Sequence, residues 1–427
     1  MSSVADKASE AKNASFLLAA LPRDVKDRAL AAVAQALRSR RSEIEAANAA
    51  DMRRAEEAGV AAPLVKRLDF SGSKVEQSAV GVQSVAALED PTGRTLAARE
   101  LDAGLELYQV TVPLGVVGMV FESRPDALVQ ISSLCLKSGN AVLLKGGTEA
   151  AETNRMLFEI IVKATADAGM PDGWIALLES REDVRAMLAL SDSIDLIIPR
   201  GSNEFVRFIM DNTSIPVLGH ADGVCHVYVD RSADVQQAVA IAADSKTQYV
   251  AVCNAAETLL VHADVAQAFL PQLDAAMPQV VLRGCERTRA IVPRAESAAE
   301  SDWSAEYLDL VLAVRVVDSF DAAVAHINRY GSHHTDAIVT AERQDAERFM
   351  ALVDSANVMW NCSTRFSDGF RYGLGAEVGI STGKIHSRGP VGLEGLVIYQ
   401  WRLFGSGQVV ADYSGPHARG FSHRTLR

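Results

Sequence analysis

The sequence predicts an α/β protein with two doubly wound parallel-sheet domains in succession and a small β ribbon. Three features carry this. Short, almost wholly apolar runs alternate with helix-length stretches, the pattern of a parallel sheet covered on both faces. Two of those runs end in glycine-bearing turns that lead into a helix. The chain is 427 residues long and 48% hydrophobic, enough for two or three cores rather than one.

Taken in order, residues 23 to 57 are rich in Ala, Leu, Arg and Glu with apolar positions at steps of three and four, which predicts amphipathic helices. Pro91-Thr92-Gly93 breaks the chain, and LELYQVTV (105 to 112) then alternates like one arm of an exposed ribbon. GVVGMVF (115 to 121) is followed by a helix near 127 to 136, and AVLL (141 to 144) by a helix over 149 to 163. IDLII (194 to 198) leads into a helix over 202 to 210. The alternation resumes with TLLV and 263 to 276, VLAVRVV and 319 to 329, and DAIVT and 342 to 353. The two domains are expected to meet near residue 246, and no repeat of 20 to 50 residues is found.

A net charge of −12 and a pI near 5.3 argue against nucleic acid or an anionic membrane as partner, since no overall basic field offsets phosphate repulsion. The N-terminus, MSSVADKASEAKNAS, lacks the apolar core of a secretory signal, and no apolar run approaches the ~20 residues that cross a bilayer. Five widely spaced cysteines without a Cys-x-x-Cys pair favour reduced thiols, no zinc site and a cytoplasmic protein.

The chemistry centres on Cys253, in a polar break (TQYVAVCNAAETLLVH) between two apolar runs. Buried cysteine is usually inert, but a thiol at such a junction serves as a nucleophile if a helix N-terminus or a cation ionises it. Two turns favour a nucleotide. In VLLKGGTEA (142 to 150) a strand ends at Lys145-Gly146-Gly147 before a helix, and Pro199-Arg200-Gly201-Ser202-Asn203-Glu204 repeats the strand-to-helix arrangement. Glycines admit a ligand close to the backbone and a helix N-terminus attracts anions. G-x-G-x-x-G is absent. His326, His333 and His334 invite a metal reading, but the adjacent pair cannot share one helical face, so a structured turn beside the active site is expected and no metal.

Four blocks in this order, VPLGVVGMVFESRPDALVQISSLCLKSGNAVLLKGG (112 to 147), VCNAAETLLVH (252 to 262), AHINRYGSHHTDAI (325 to 338) and GLGAEVGISTGKIHSRGPVGLEGL (373 to 396), resemble the γ-glutamyl phosphate reductase family of the aldehyde dehydrogenase superfamily over residues 20 to 410. The resemblance implies an aldehyde dehydrogenase-like fold. Residues 1–98 and 113–246 would form an NADPH-binding domain, 247–395 the catalytic domain, and 99–112 with 396–427 an oligomerisation ribbon and tail that pair between subunits of a homo-oligomer.

The implied reaction is the second step of proline biosynthesis, NADPH-dependent reduction of L-glutamyl 5-phosphate to L-glutamate 5-semialdehyde and phosphate through a Cys253 thioester. Asn254 and Asp126 join Cys253 as catalytic candidates, with backbone N–H groups near Cys253 and the Ser123–Asp126 turn as sources for an oxyanion hole. Where many relatives carry Asn, this chain has Asp126, which when ionised cannot donate; either its surroundings protonate it, or the backbone supplies the donors and Asp126 serves another purpose such as meeting the substrate's ammonium. Lys145, Gly146, Gly147, Thr148, Gly201, Ser202 and Glu306 are the expected cofactor residues, Glu306 for the nicotinamide ribose. Thr148, in place of an acid found in NAD-using relatives, and Lys145 favour a 2′-phosphate, while Glu149 next door opposes it. Arg124, Arg365 and Arg388 are the substrate-binding candidates, and Cys135, Cys225, Cys285 and Cys362 are read as incidental. Oxidising relatives carry a water-activating glutamate where this chain has Val217, which fits a reductase that must not hydrolyse its thioester. The other readings are an aldehyde oxidiser, a cysteine hydrolase using His220 or His262, and a silent scaffold. A transient contact with a glutamate 5-kinase would suit a labile acyl phosphate.

Overall fold

A computed structural model describes residues 3–60, 62–122, 124–220 and 222–426. Strands β1 (Thr95–Asp102) and β2 (Leu105–Pro113) form an antiparallel hairpin, which starts at Thr95, ahead of the expected residue 99. The first parallel sheet follows: β3 (Val116–Phe121), β4 (Ala141–Lys145), β5 (Ile175–Leu178) and β6 (Leu196–Arg200), in the order β5-β4-β3-β6. The second contains β7 (Cys225–Val229), β8 (Ala256–His262), β9 (Val281–Gly284), β10 (Glu296–Ser297), β11 (Val311–Val317), β12 (Thr335–Val339) and β13 (Asn357–Trp360), in the order β10-β9-β11-β8-β7-β12-β13. A short pair, β14 (Gly379–Ser381) and β15 (Gly389–Val391), precedes β16 (Val397–Phe404), which pairs with β2, and β17 (Arg424–Thr425), which pairs with β1.

The apolar runs become interior strands because a strand covered on both faces must bury every side chain, and β3, β4, β8 and β12 are buried end to end. Helices Val4–Leu18, Arg23–Ser39 and Ser73–Ala87 pack on the first core, and Val235–Thr247 and Ala263–Ala276 on the second. Three of their starts are chemically marked: Ser3 with Asp6 makes a capping box on the first, and Asp234 and His262 cap the last two. No helix among the described residues is long and apolar enough to cross a membrane.

The division between the sheets differs from the expected one. Val217 still bridges to Ile197 of the first sheet, while β7 and the helix Val235–Thr247 belong to the second, so the chain changes sheets between 217 and 225 rather than near 246. Val378, Val391, Leu393 and Leu396 then return to the first core. The change was hidden because β7 carries His226, whose Nδ1 meets the distant Asp336 at 2.9 Å, and Tyr228, whose hydroxyl donates to the nearby Asp230 at 3.1 Å.

Lys246, at the end of a helix, and Glu257, in β8, form a fully buried ion pair that clamps both ends of the segment carrying Cys253. Glu257 also accepts from the Leu308 N–H at 3.1 Å. Removing one partner of a buried pair leaves a charge without compensation. Lys246→Met is expected to lower unfolding free energy by about 3–5 kcal/mol in a denaturant titration. Lys246→Met/Glu257→Leu should recover most of that loss, and a single variant as stable as wild type would refute the clamp.

Candidate active site

Cys253 lies in the turn between the helix ending at Thr247 and β8, beside a cleft of about 710 Å³ lined by its neighbours Ala251 and Val252 and by residues of the Ser73–Ala87 and Pro125–Lys137 helices. No helix begins at Cys253, so the expected helix N-terminus is missing. Burial, then the carboxylates of Glu306 and Glu377, push its thiol up to about 12, and its own backbone N–H and Arg365 oppose this only in part. These influences favour the thiol over the thiolate on which its reactivity depends. Its loop is held from behind. Cys225 donates its S–H to the Cys253 carbonyl at 3.1 Å, and the Asn254 amide donates to the Ser367 carbonyl at 2.7 Å. Asn254 is thus an anchor of the loop, and Cys225, read as incidental, is another.

Two arginines stand beside the sulfur. Arg365 is buried, donates through Nε to Gln248 Oε1 at 3.0 Å and interacts with the Cys253 charge. Arg200, which the sequence reading placed in a motif without giving it a role, interacts with Arg124, Glu377, Asp126 and Cys253. Burial lowers the pKa of both guanidinium groups, which nevertheless stay charged at any physiological pH. Farther out, Arg124 pairs with Asp126 at 2.9 Å on the cleft wall, and Lys74 pairs with Asp69 at 3.1 Å. Ser123 lies outside the described residues. Arg388 is not brought to the cleft: its guanidinium is tied to Asp354 at 2.9 Å and to the Thr382 carbonyl at 3.1 Å. With Lys384 it holds the Asp354 carboxyl down at about 2. This arginine staples a loop and does not line the cleft.

His220 and His334 meet Cys253 on the opposite side, with their ligating atoms and Sγ all within 4.8 Å of one another. His220 borders a second cavity of about 290 Å³ that also meets Asp222, Ser332 and Thr382. His262 caps the helix Ala263–Ala276, accepting from the Asp264 N–H at 3.2 Å, at the far end of β8 from Cys253. The expected histidine turn resolves into separate roles. His333 takes a positive φ of 61° and bonds the Asp354 carbonyl at 2.5 Å, while His326 packs among Trp303, Tyr330 and His226.

The cofactor candidates gather at the carboxyl ends of the first sheet, where β3 and β6 lie side by side although β4 and β5 intervene in sequence, the switch point at which such sheets bind ligands. Glu306 accepts from the Asn203 amide at 2.6 Å, which joins the second glycine turn to the Cys253 neighbourhood. Ser202 N–H donates to Glu122 Oε2 at 3.2 Å, and that carboxylate would also lie 2.9 Å from a Cβ added at Gly201. At the end of β4, Lys145 is buried and its pKa is lowered by burial against the opposing pull of Glu149. A Cβ at Gly146 would lie 2.3 Å from Asn154 Nδ2, and Asn154 Oδ1 is buried without a partner in the same corner, beside Gly147 and Thr148. An unpaired buried acceptor beside a tight glycine turn fits a polar ligand there.

Comparison with known proteins agrees with this geometry. The aldehyde dehydrogenase family profile matches residues 2–299. The chain is 62% identical over 417 residues to γ-glutamyl phosphate reductase of Pelotomaculum thermopropionicum, covering 97% of this chain and 96% of that one. A second γ-glutamyl phosphate reductase, from Acetivibrio thermocellus, is 57% identical over 426 residues, 99% of this chain and 98% of the relative. The crystal structure of γ-glutamyl phosphate reductase from Thermotoga maritima superposes with a TM-score of 0.93 at 38% identity, covering 96% of this chain and 100% of that one. An acetylating aldehyde dehydrogenase from Geobacillus thermoglucosidasius, at 18% identity and a TM-score of 0.63 over 95% and 97% of the two chains, shares the fold.

Proposed function

The chain belongs to the aldehyde dehydrogenase family, among its γ-glutamyl phosphate reductases, and from that premise we propose that it reduces L-glutamyl 5-phosphate to L-glutamate 5-semialdehyde with NADPH, releasing phosphate. The observation that carries the reading is a cysteine thiol beside a cleft, within electrostatic reach of buried Arg365 and partly buried Arg200, with an aliphatic Val217, packed on the first core, where an oxidising relative keeps its base. Cys253 Sγ attacks the acyl carbon, the C–O bond to phosphate breaks, and phosphate leaves with the bonding pair and takes up the thiol proton. Arg365 and Arg200 stabilise the charge that grows on the departing phosphate, and the Cys253 N–H serves the oxyanion. Arg124 and Asp126, one cation and one anion side by side, suit the α-carboxylate and α-ammonium of the amino acid. The nicotinamide cofactor, when bound, supplies the hydride that takes the thioester to the aldehyde level. Lys145, Gly146, Gly147, Thr148, Gly201, Ser202 and Glu306 would hold it.

The reaction run backwards tests this. With glutamate semialdehyde, phosphate and NADP supplied, NADPH formation should require phosphate, whereas formation without phosphate would replace this reading with an aldehyde oxidiser. Three side-chain predictions separate the roles. Arg365→Gln should lower kcat by about 10²–10³-fold, the range seen when one charge-stabilising donor is lost. Arg388→Met should leave kcat and KM unchanged and lower Tm instead. Lys145→Met should raise the KM for NADPH roughly 10- to 100-fold while leaving that for NADH within a few fold, because only the former loses a charge-assisted hydrogen bond. Equal effects on both cofactors would remove Lys145 from 2′-phosphate recognition.

The proposal extends to self-association. β16 pairs with β2 over eight residues within the chain, and its side chains Tyr399, Trp401, Leu403 and Phe404 are about half exposed. An apolar outer strand of this kind is covered by a second copy in a homo-oligomer. Light scattering that reports only a monomer at micromolar concentration would overturn it.

A further inference from the structure

Cys253, His220 and His334 supply one thiol and two imidazoles whose ligating atoms lie within 4.8 Å of one another, the donor set of the softer divalent metals. The histidines are already oriented by their outer bonds. His220 Nδ1 meets the Ile380 carbonyl at 3.1 Å, which makes it the protonated nitrogen and leaves the Nε2 lone pair free. His334 is fully buried, its Nδ1 lies 2.8 Å from Thr335 Oγ1, and its Nε2 has no partner. An unpaired imidazole nitrogen in the interior is a cost that a ligand would remove. The outer-sphere pattern, one ring nitrogen to a carbonyl or hydroxyl and the other left bare, is the one that prepares histidine for a metal.

We propose that His220, His334 and Cys253 bind a divalent cation of the zinc class, which caps the nucleophile and holds the resting enzyme inactive. Binding forms the Sγ–metal bond and releases the thiol proton to solvent. A tetrahedral ion with bonds of about 2.0–2.3 Å places its ligands roughly 3.5 Å apart, so the three side chains close in by about 1 Å around it. The nearby carboxylates of Glu306 and Glu377 favour a cation, and Arg200 and Arg365 oppose it. Cys225 gives its S–H to the Cys253 carbonyl and lies 3.7 Å from His334 Nδ1, so it braces two of the ligands and is not itself one of the three. Only the inhibitory consequence rests on Cys253 being the nucleophile; cation binding is tested separately.

Chelator-stripped protein is titrated with Zn²⁺ against a chromophoric chelator, and with Co²⁺ to follow thiolate-to-metal absorption. One equivalent per chain should bind, the cobalt absorption should vanish in Cys253→Ser, and one equivalent of Zn²⁺ should slow iodoacetamide alkylation of Cys253 about tenfold or more. His334→Asn should weaken binding by about tenfold or more at unchanged circular dichroism. If that variant does not fold, the cobalt spectrum and the alkylation rate of wild type decide alone. No binding at micromolar Zn²⁺, or cobalt absorption that persists in Cys253→Ser, overturns the site. Protein that binds cobalt through Cys253 yet turns over no acyl phosphate would overturn the proposed function and leave the site standing.

Discussion

Cys253→Ala is expected to abolish phosphate-dependent NADPH formation, by at least about 10⁴-fold, while the chain still folds and binds NADP. The size of the effect follows from the thiol's role as the only atom that bonds to the substrate. The cleft, the two arginines and the backbone donors survive the substitution, so positioning and charge stabilisation remain, and such residues alone give a small residual rate. The sulfur is not part of the core: Cys253 is only partly buried, and its loop is held by the Cys225 and Asn254 bonds, which do not involve Sγ of Cys253. Thermal unfolding should therefore shift by little. The thiol's resting state adds a second expectation. Because burial and two carboxylates keep it protonated, iodoacetamide should react slowly with the free enzyme at neutral pH. A Cys253→Ala variant within tenfold of wild type would sink the thioester mechanism and return a hydrolase or oxidiser to consideration.

How much of this could be read from residues alone depends on whether a signal is local. β3, β4, β6, β8, β11 and β12 follow from short runs in which at least three consecutive residues are apolar, because a doubly covered strand leaves that trace locally. β7 and β13 do not, since His226 and Asn357 are buried polar residues whose partners, Asp336 and the 334–335 turn, come from elsewhere in the chain. The same division runs through the site. Cys253, Asp126, Glu306 and the two glycine turns sit in recognisable blocks, whereas the support for Cys253 is assembled from Cys225, Arg200, His220 and His334 in four different loops or strands. Arg388 looks like Arg365 in sequence, each beside Ser or Gly-rich turns, and only the fold distinguishes a residue tied to Asp354 from one beside the sulfur.

Gly223→Ala is the expected test of that support, and its effect should rank just below loss of the thiol. A Cβ at 223 would fall 2.2 Å from the Cys253 carbonyl oxygen, 2.5 Å from its Cα and 2.6 Å from its Cβ, all far inside contact distance. Two of those atoms are backbone and the third is bonded directly to it, so no side-chain rotation relieves the clash and the loop itself must move. It cannot move freely, because Cys225 and Asn254 hold it on one side and the Lys246–Glu257 pair fixes both ends. Displacing a reacting atom by about 1 Å costs on the order of 10²-fold in rate. Hence kcat should fall about 100-fold or more, with NADP affinity little changed, since the cofactor candidates lie on the first sheet or across the cavity. Cys225→Ala, which removes the anchor and adds no clash, should cost less than Gly223→Ala. If Gly223→Ala retained wild-type kcat, the nucleophile loop would have to be mobile enough to absorb a shift of that size, and the preorganised geometry argued for Cys253 would have no role in the rate.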